Sequence, residues 1–251
     1  MVLRFFLLAV AFLLSCTSIE RDSVCDEKSV YYNGCVGGVS SSSVPSSSSA
    51  GSVPSGGRGN YIANYRTTEI GSQTWMAENY DYAVAGSKCG GADGKLKDDS
   101  PVCNSLYGRL YNWATAMALD ASCNSSSCAA QVSTNHRGIC PSGWHIPSDD
   151  EWTTLTDFVG GTTTAGTKLK AIVEWNSNGN GTDDFGFTAL PSGSGNFDGN
   201  FYNAGEDCHW WSASETVSGS AFGRSMYYGN GNVSWDVTSK SRLYSIRCVK
   251  D

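Results

Sequence analysis

Cys140-Pro-Ser-Gly-Trp-His-Ile-Pro-Ser-Asp-Asp-Glu-Trp152 is the stretch on which the reading of this chain turns. The Ile146-Pro147 step predicts extended backbone just ahead of a helix, where a proline does no harm. Ser148 is a good N-cap, and Glu151 three residues later completes a capping box. Asp149 and Asp150 fall in the first turn, at the positive end of the helix dipole. Trp152, Leu155, Phe158 and Val159 then recur at helical spacing and predict a buried stripe, and Gly160-Gly161 ends the helix. Capping therefore accounts for Asp149, Asp150 and Glu151 without any catalytic role.

Working outward, composition sets limits. The chain has 251 residues, a net charge of −7 and a pI near 4.9. That acidity argues against nucleic acid, whose binding rests on basic patches. Only 16% of residues are charged, so Ser, Thr, Asn and Gly supply much of the polar surface. Eight Trp and twelve Tyr can furnish the core of one domain.

The start of the chain predicts export. Met1 to Arg4 gives a short positive region, Phe5 to Leu14 an apolar run too short to span a bilayer, and residues 1–15 together a signal peptide. Leu13-Leu14-Ser15-Cys16 is similar to a bacterial lipobox, which makes Cys16 the expected lipidation site. Thr17 follows where the inner-membrane retention signal would have Asp, so the expected location is secreted and lipid-anchored, at a bacterial outer membrane or cell surface. The expected partner is then a membrane held through lipid rather than spanned. Residues 16–36 are expected to be a polar segment, and the Cys25 to Cys35 spacing suits a small disulfide loop. Residues 37–60 are a Ser/Gly-rich linker, and residues 61–251 the globular domain.

Within that domain, residues 67–79 predict a strand and turn. Leu106, Leu110, Trp113 and Met117 predict a first helix of about three turns over 106–119, with the capped helix as the second. Residues 174–209 are a long irregular stretch dense in Gly, Asn and Asp. Strands are expected over 210–214, 221–228, 233–237 and 243–249, with Gly229 to Asn232 as a hairpin turn.

Six ordered blocks carry a resemblance. They are Gln73-Thr-Trp-Met-Ala-Glu-Asn79, Tyr107-Gly-Arg-Leu-Tyr-Asn-Trp113, the Cys140 block, Phe185-Gly-Phe-Thr-Ala-Leu-Pro191, Trp210-Trp-Ser-Ala-Ser214 and Arg242-Leu-Tyr-Ser-Ile-Arg-Cys248. In these the chain resembles the Fibrobacter succinogenes major paralogous domain family, a family of bacterial surface proteins without an established activity. The resemblance implies an α+β, C-type-lectin-like domain: two helices against a small antiparallel sheet, a long irregular loop region and disulfide bonds. The same fold class includes formylglycine-generating enzymes. A Cys140–Cys248 bridge is also implied by the resemblance.

An exported chain with ten cysteines is expected to be disulfide-bonded. Cys89–Cys103 and Cys123–Cys128 are the local pairs, which leaves Cys208 over as a free thiol or a replacement partner in one of them. His209 beside it does not make a catalytic pair, because adjacent side chains point apart.

Candidate binding residues lie toward the end of the chain. Asn176, Asn178, Asn180, Gly181 and Asp184 are similar to the first part of a calcium loop, and Asn180, Asp183 and Asp184 are the metal candidates, but Phe187 stands where the bidentate Glu should be. Turn formation is the plainer use of these residues, and calcium is the one cofactor they suggest. The lectin Glu-Pro-Asn and Trp-Asn-Asp motifs are absent. Trp210, Trp211, Tyr228 and Trp235 predict a stacking platform for sugar rings, with Asp183, Asp184, Glu206 and Asp207 to bond their hydroxyls, although core packing is the commoner use of such aromatics. The function expected is a surface lipoprotein with a non-catalytic binding or adhesion module for polysaccharide or another extracellular ligand. The rivals are an enzyme of the formylglycine-generating type and a structural envelope protein.

Overall fold

The computed structural model describes residues 65–90, 103 and 106–251. Expectations that fall on Cys16, the Cys25–Cys35 loop, the signal peptide and the linker lie outside the described residues.

The domain is built mainly from strands. A first sheet opens with β1 (Thr67–Ile70) and β2 (Gln73–Met76), an antiparallel hairpin that turns at Gly71. Beside β2 lies β12 (Val249–Lys250), and beyond that β5 (Trp144–His145). The two ends of the described domain thus close one four-stranded sheet.

The second sheet has six strands. Its centre is a meander of β8 (Asp207–Val217), β9 (Ser220–Tyr227) and β10 (Ser234–Ser239). On the other side of β8 come β11 (Tyr244–Ser245), β4 (Arg109–Tyr111) and β3 (Lys88–Cys89). A small hairpin, β6 (Ser194–Gly195) with β7 (Phe201–Tyr202), makes a third sheet.

This corrects the expected architecture of two helices against a small sheet. The described residues hold one helix of ten residues, α2 (Asp149–Phe158), and two short ones, α1 (Trp113–Ala116) and α3 (Ala165–Leu169). The three-turn helix over 106–119 does not form, and the reason is local. Gly108 sits at φ 74 with its Cα so close to Asn79 that a Cβ would lie 2.8 Å from the asparagine Cβ. Only glycine fits there, and its left-handed backbone stops a helix from running through. Arg109–Tyr111 then pairs with β3 and β11, Asn112 caps a single turn, and Ala118 at φ 54 ends it. The turn at Gly229 to Asn232 is also looser than a two-residue hairpin, since β9 and β10 pair only from Ser225 and Ser234 onward.

The second helix forms as its caps dictate. The Ser148 hydroxyl accepts from the Glu151 amide at 3.2 Å, and the Glu151 carboxylate accepts from the Ser148 amide at 2.8 Å. Trp152, Leu155 and Val159 are buried, whereas Phe158 is 58% exposed and meets the Phe185 ring edge-on.

Alternation along β8 sends Trp210 and Trp211 to opposite faces of the large sheet, each into a separate apolar cluster. Trp210 packs with Trp75, Trp152, Leu155 and Phe187 beneath α2. Trp211 packs with Tyr111, Trp113, Trp144 and Tyr244 on the other face. Both indole N–H groups are satisfied, on Asn79 Oδ1 and the Tyr111 carbonyl, each at 2.8 Å.

Buried cations tie these layers together. Arg247 donates to Asn79 Oδ1 and to the Met76 and Phe187 carbonyls, and lies 4.4 Å over the Phe187 ring. Burial pulls its pKa down to about 9. Lys240 pairs with Glu215 at 2.8 Å and donates to the Cys123 and Ser126 carbonyls. Bridges join Cys89 to Cys103, Cys123 to Cys128 and Cys140 to Cys248, the last with its Cα atoms 6.1 Å apart. Closing a loop of 108 residues stabilises by about 4.7 kcal/mol in the chain-entropy picture. Cys208 is left free and buried. Among the described residues, no helix is long and apolar enough to cross a membrane.

Candidate functional site

The strand β10 is an edge of the large sheet. Alternation turns Asp236 toward the Tyr244 hydroxyl, which donates to it at 3.2 Å, and leaves Trp235 and Val237 on the opposite face. There Trp235 is 62% exposed, beside Val237 at 48%. Its ring is nonetheless held. Phe222 meets it edge-on at 6.1 Å, and Arg224 is its cross-strand partner. Arg224 is itself fixed on α2 through the Asp149 carboxylate, the Asp149 carbonyl at 3.0 Å and the Thr153 hydroxyl at 3.1 Å.

Trp235 lines a shallow pocket of about 270 Å³ with Thr162, Thr163, Asn232, Val233 and Ser234. One wall is the turn after α2, the other the loop from β9 to β10. The walls are locked together: the Val233 amide donates to the Thr162 carbonyl at 2.8 Å and the Thr167 amide to the Gly231 carbonyl at 3.2 Å. Gly166 is needed at this junction, because a Cβ there would stand 2.4 Å from the Asn232 carbonyl oxygen. Lys170 closes the base of the loop by donating to the Tyr227 and Asn230 carbonyls. The side chains of Thr162, Thr163, Asn232 and Ser234 make no hydrogen bond to another described residue. The pocket thus offers an apolar ring bordered by uncharged groups that both donate and accept.

A second concavity, of about 600 Å³, lies between the segment 129–136 and the start of α2. Its histidines and glutamates are engaged internally, whereas the side chains of Ser133, Thr134, Asn135 and Asp150 make no hydrogen bond to another described residue. His145, 2% exposed, holds Glu151 Oε1 on one ring nitrogen and Asp251 Oδ1 on the other, each at 2.8 Å. Burial alone would lower the His145 pKa, but the hydrogen bonds and charges of Glu151 and Asp251 outweigh it and hold the imidazole above its ordinary value. Burial likewise pushes Glu151 up, yet the bonds to His145 and Ser148 win and its carboxyl stays below the usual range. Glu215 is committed to Lys240 and the Cys128 amide, and His136 to the Met117 carbonyl.

The other residues singled out from the sequence are scattered. Trp210 and Trp211 are core residues with 0% exposure, so neither ring belongs to a surface platform. Tyr228 is half-buried against Tyr227, with ring centroids 4.4 Å apart, and its amide donates to the Glu206 carbonyl. Asp207 lies opposite Tyr227, so Glu206, Asp207 and the two tyrosines do come together, at the far end of β9 from Phe222. The Asp207 carboxylate accepts from Asn203 at 2.8 Å and lies 3.4 Å from His209 Nε2.

Asp183 and Asp184 are elsewhere. Both oxygens of Asp183 accept from Thr188, through its amide and its hydroxyl, and burial raises the Asp183 pKa. The loop they share is held to β1, where the Thr68 hydroxyl donates to the Phe185 carbonyl. Asp184 is exposed. The Asn180 side-chain oxygen accepts from the Trp175 amide at 3.1 Å. These loop residues therefore use their oxygens to shape turns, and among the described residues no group of three or more His, Cys, Asp or Glu is placed to hold a metal ion.

The sequence pointed to Trp235 but missed the walls of its pocket. The Thr162-Thr163-Thr164 run after the glycine pair, and Asn232 and Ser234 beside the tryptophan, were the available signal.

No curated protein and no solved structure matches the chain. A family model, that of the Fibrobacter succinogenes major domain, matches residues 68–250. Nearly all of the described domain lies within that match, and the chain belongs to this family.

Proposed function

We propose that this chain is a cell-surface lipoprotein anchored through Cys16, and that its folded domain is a non-catalytic binding module for an extracellular polysaccharide. The Trp235 pocket is the binding site. One observation carries the reading: an indole, 62% exposed and met edge-on by Phe222, lies beside four uncharged polar side chains that make no hydrogen bond to another described residue. An aromatic face with hydroxyl and amide groups at its rim complements a sugar ring, which is apolar on its faces and rich in hydroxyls at its edge.

The chemistry of Cys208 supports a non-catalytic role. Its thiol is fully buried and its pKa is pushed well up by that burial, the opposite of an activated nucleophile.

The pocket is smaller than the 300 Å³ or so of common ligand sites, so it suits one ring at a time. A ring of about a dozen heavy atoms at roughly 0.3 kcal/mol each gives about 4 kcal/mol, a Kd near 1 mM. Useful adhesion would then come from many copies on one surface.

Affinity electrophoresis of the protein through gels containing soluble polysaccharides tests this directly. Trp235→Ala is expected to lose about 2 kcal/mol, roughly thirtyfold, which abolishes retardation. A folded Trp235→Ala protein that is retarded like the wild type would defeat the assignment of the site. The anchor has its own test: Cys16→Ser should move the protein from the membrane fraction to the soluble one, and continued membrane association would refute lipidation.

A further inference from the structure

We infer that the Trp235 pocket selects neutral sugar rings over anionic or cationic ones, and that it does so without a metal ion. The inference rests on the binding role proposed for this pocket and names the class of ligand. Its first support is the lining, in which Thr162, Thr163, Asn232, Val233, Ser234 and Trp235 carry no ionisable group.

The second support is the state of the charged residues nearest Trp235 in the sheet and on α3, which are already bound elsewhere. Arg224, cross-strand from Trp235, is 4% exposed and bound to Asp149, Thr153 and the Gly223 carbonyl. Lys168, on α3, donates to the Val159 carbonyl at 2.8 Å, and Lys170 to the Tyr227 and Asn230 carbonyls. Asp236, next to Trp235 in the chain, faces the other side of the sheet and accepts from Tyr244. A uronic acid or sulfated ring would lose its hydration here, and Arg224, Lys168 and Lys170 are already bound elsewhere. The net charge of −7 would add repulsion. An amino sugar would find Asp149 paired with Arg224 and Asp150 at the other concavity, and Asp157, exposed near the end of α2, does not line the pocket. A neutral ring suits the site because hydroxyl and amide groups can bond its hydroxyls in either sense.

The test compares probes on the full chain. Gels are cast with a neutral β-glucan, a neutral mannan, polygalacturonate or chitosan, at low and at high salt, with and without a chelator. Retardation by at least one neutral polymer is expected. It should be lost in Trp235→Ala and should change less than about twofold with salt or chelator, because no ion pair is screened. Polygalacturonate and chitosan should not retard the protein through this site.

The exposed Thr163 supplies a gain-of-function check that does not depend on removing the platform. Thr163→Lys should confer salt-sensitive retardation by polygalacturonate. Retardation of the wild type by a charged polymer, lost in Trp235→Ala, would overturn neutral selectivity and leave the binding role standing. Chelator-sensitive binding would overturn metal independence. No retardation by any polymer would overturn both this inference and the binding role.

Discussion

The two concavities differ in a way that size conceals. The larger, near 600 Å³, brings His136, His145, Glu151 and Glu215 together and has the residue types of an active site. Yet the hydrogen bonds of those four side chains are made inside the protein: His145 joins α2 to Asp251, Glu215 neutralises Lys240, and Glu151 caps its own helix. The smaller, near 270 Å³, is chemically plain, but it sets an exposed indole beside four polar side chains that make no hydrogen bond to another described residue, and the larger one has no such ring. What marks a binding surface here is unused hydrogen-bonding capacity beside a supported apolar ring, more than volume or a cluster of ionisable groups.

The strongest way to break this contrast is to treat the larger concavity as dispensable. Glu215→Ala leaves the Lys240 ammonium buried without its partner and should lower stability by about 3 to 5 kcal/mol. Trp235→Ala, which removes an exposed ring, should change stability by only about 0.5 kcal/mol or less. Chemical denaturation of the two variants under one set of conditions checks both. Equal losses would remove the distinction between a structural and a recognition concavity.

A smaller effect sharpens the same point. His145 has a raised pKa in the fold, so its ion-pair contribution is fully present below the ordinary histidine value near 6.5 and is lost as pH rises through the folded value. Glu151 has a lowered pKa, so its contribution is present above the ordinary carboxyl range and is lost as pH falls through the folded value. Together the pair works from the depressed carboxyl value up to the raised imidazole value. The stability gap between wild type and His145→Gln should therefore be widest in mildly acid solution and shrink toward alkaline pH. Melting temperatures across that range measure it, and a gap that widens with pH would show that His145 acts as a neutral hydrogen-bonding group.

The parts of the fold that could be foreseen are those set by neighbouring residues. Ser148 and Glu151 determine where α2 starts whatever surrounds them, and the β1–β2 hairpin follows from its own short stretch. The failed helix over 106–119 shows the opposite case. Leu106, Leu110, Trp113 and Met117 keep a helical period by coincidence, while the deciding contact is between Gly108 and Asn79, which are distant in sequence. The extent of the six-stranded sheet was hidden for the same reason, since β3 and β4 join it only through β11.

Among the candidate site residues, Trp235 was legible and Trp210 and Trp211 misled, because an aromatic on a strand is equally suited to a core and to a platform. Which it becomes depends on whether α2 lies over it, as it does over Trp210, or stops short, as at Trp235. The pocket walls were not legible at all, because they come from segments that meet only through the Val233–Thr162 and Thr167–Gly231 hydrogen bonds.

The closure of the first sheet by β12 has a consequence for when folding can occur. Arg247, Cys248 and Val249 follow one another, and each completes something begun far upstream: the cation beneath Phe187, the bridge to Cys140 and the ladder beside Trp75. A nascent chain that has not yet reached these residues has no centre for its first sheet and no tie between its two ends. The pairings that β12 makes with β2 and β5 can therefore form only once the last residues are available, whatever the local hairpins and α2 have already done. A stop codon before residue 247 would remove the arginine, the thiol and the strand together, and would leave upstream segments whose aromatic faces have nothing to close them.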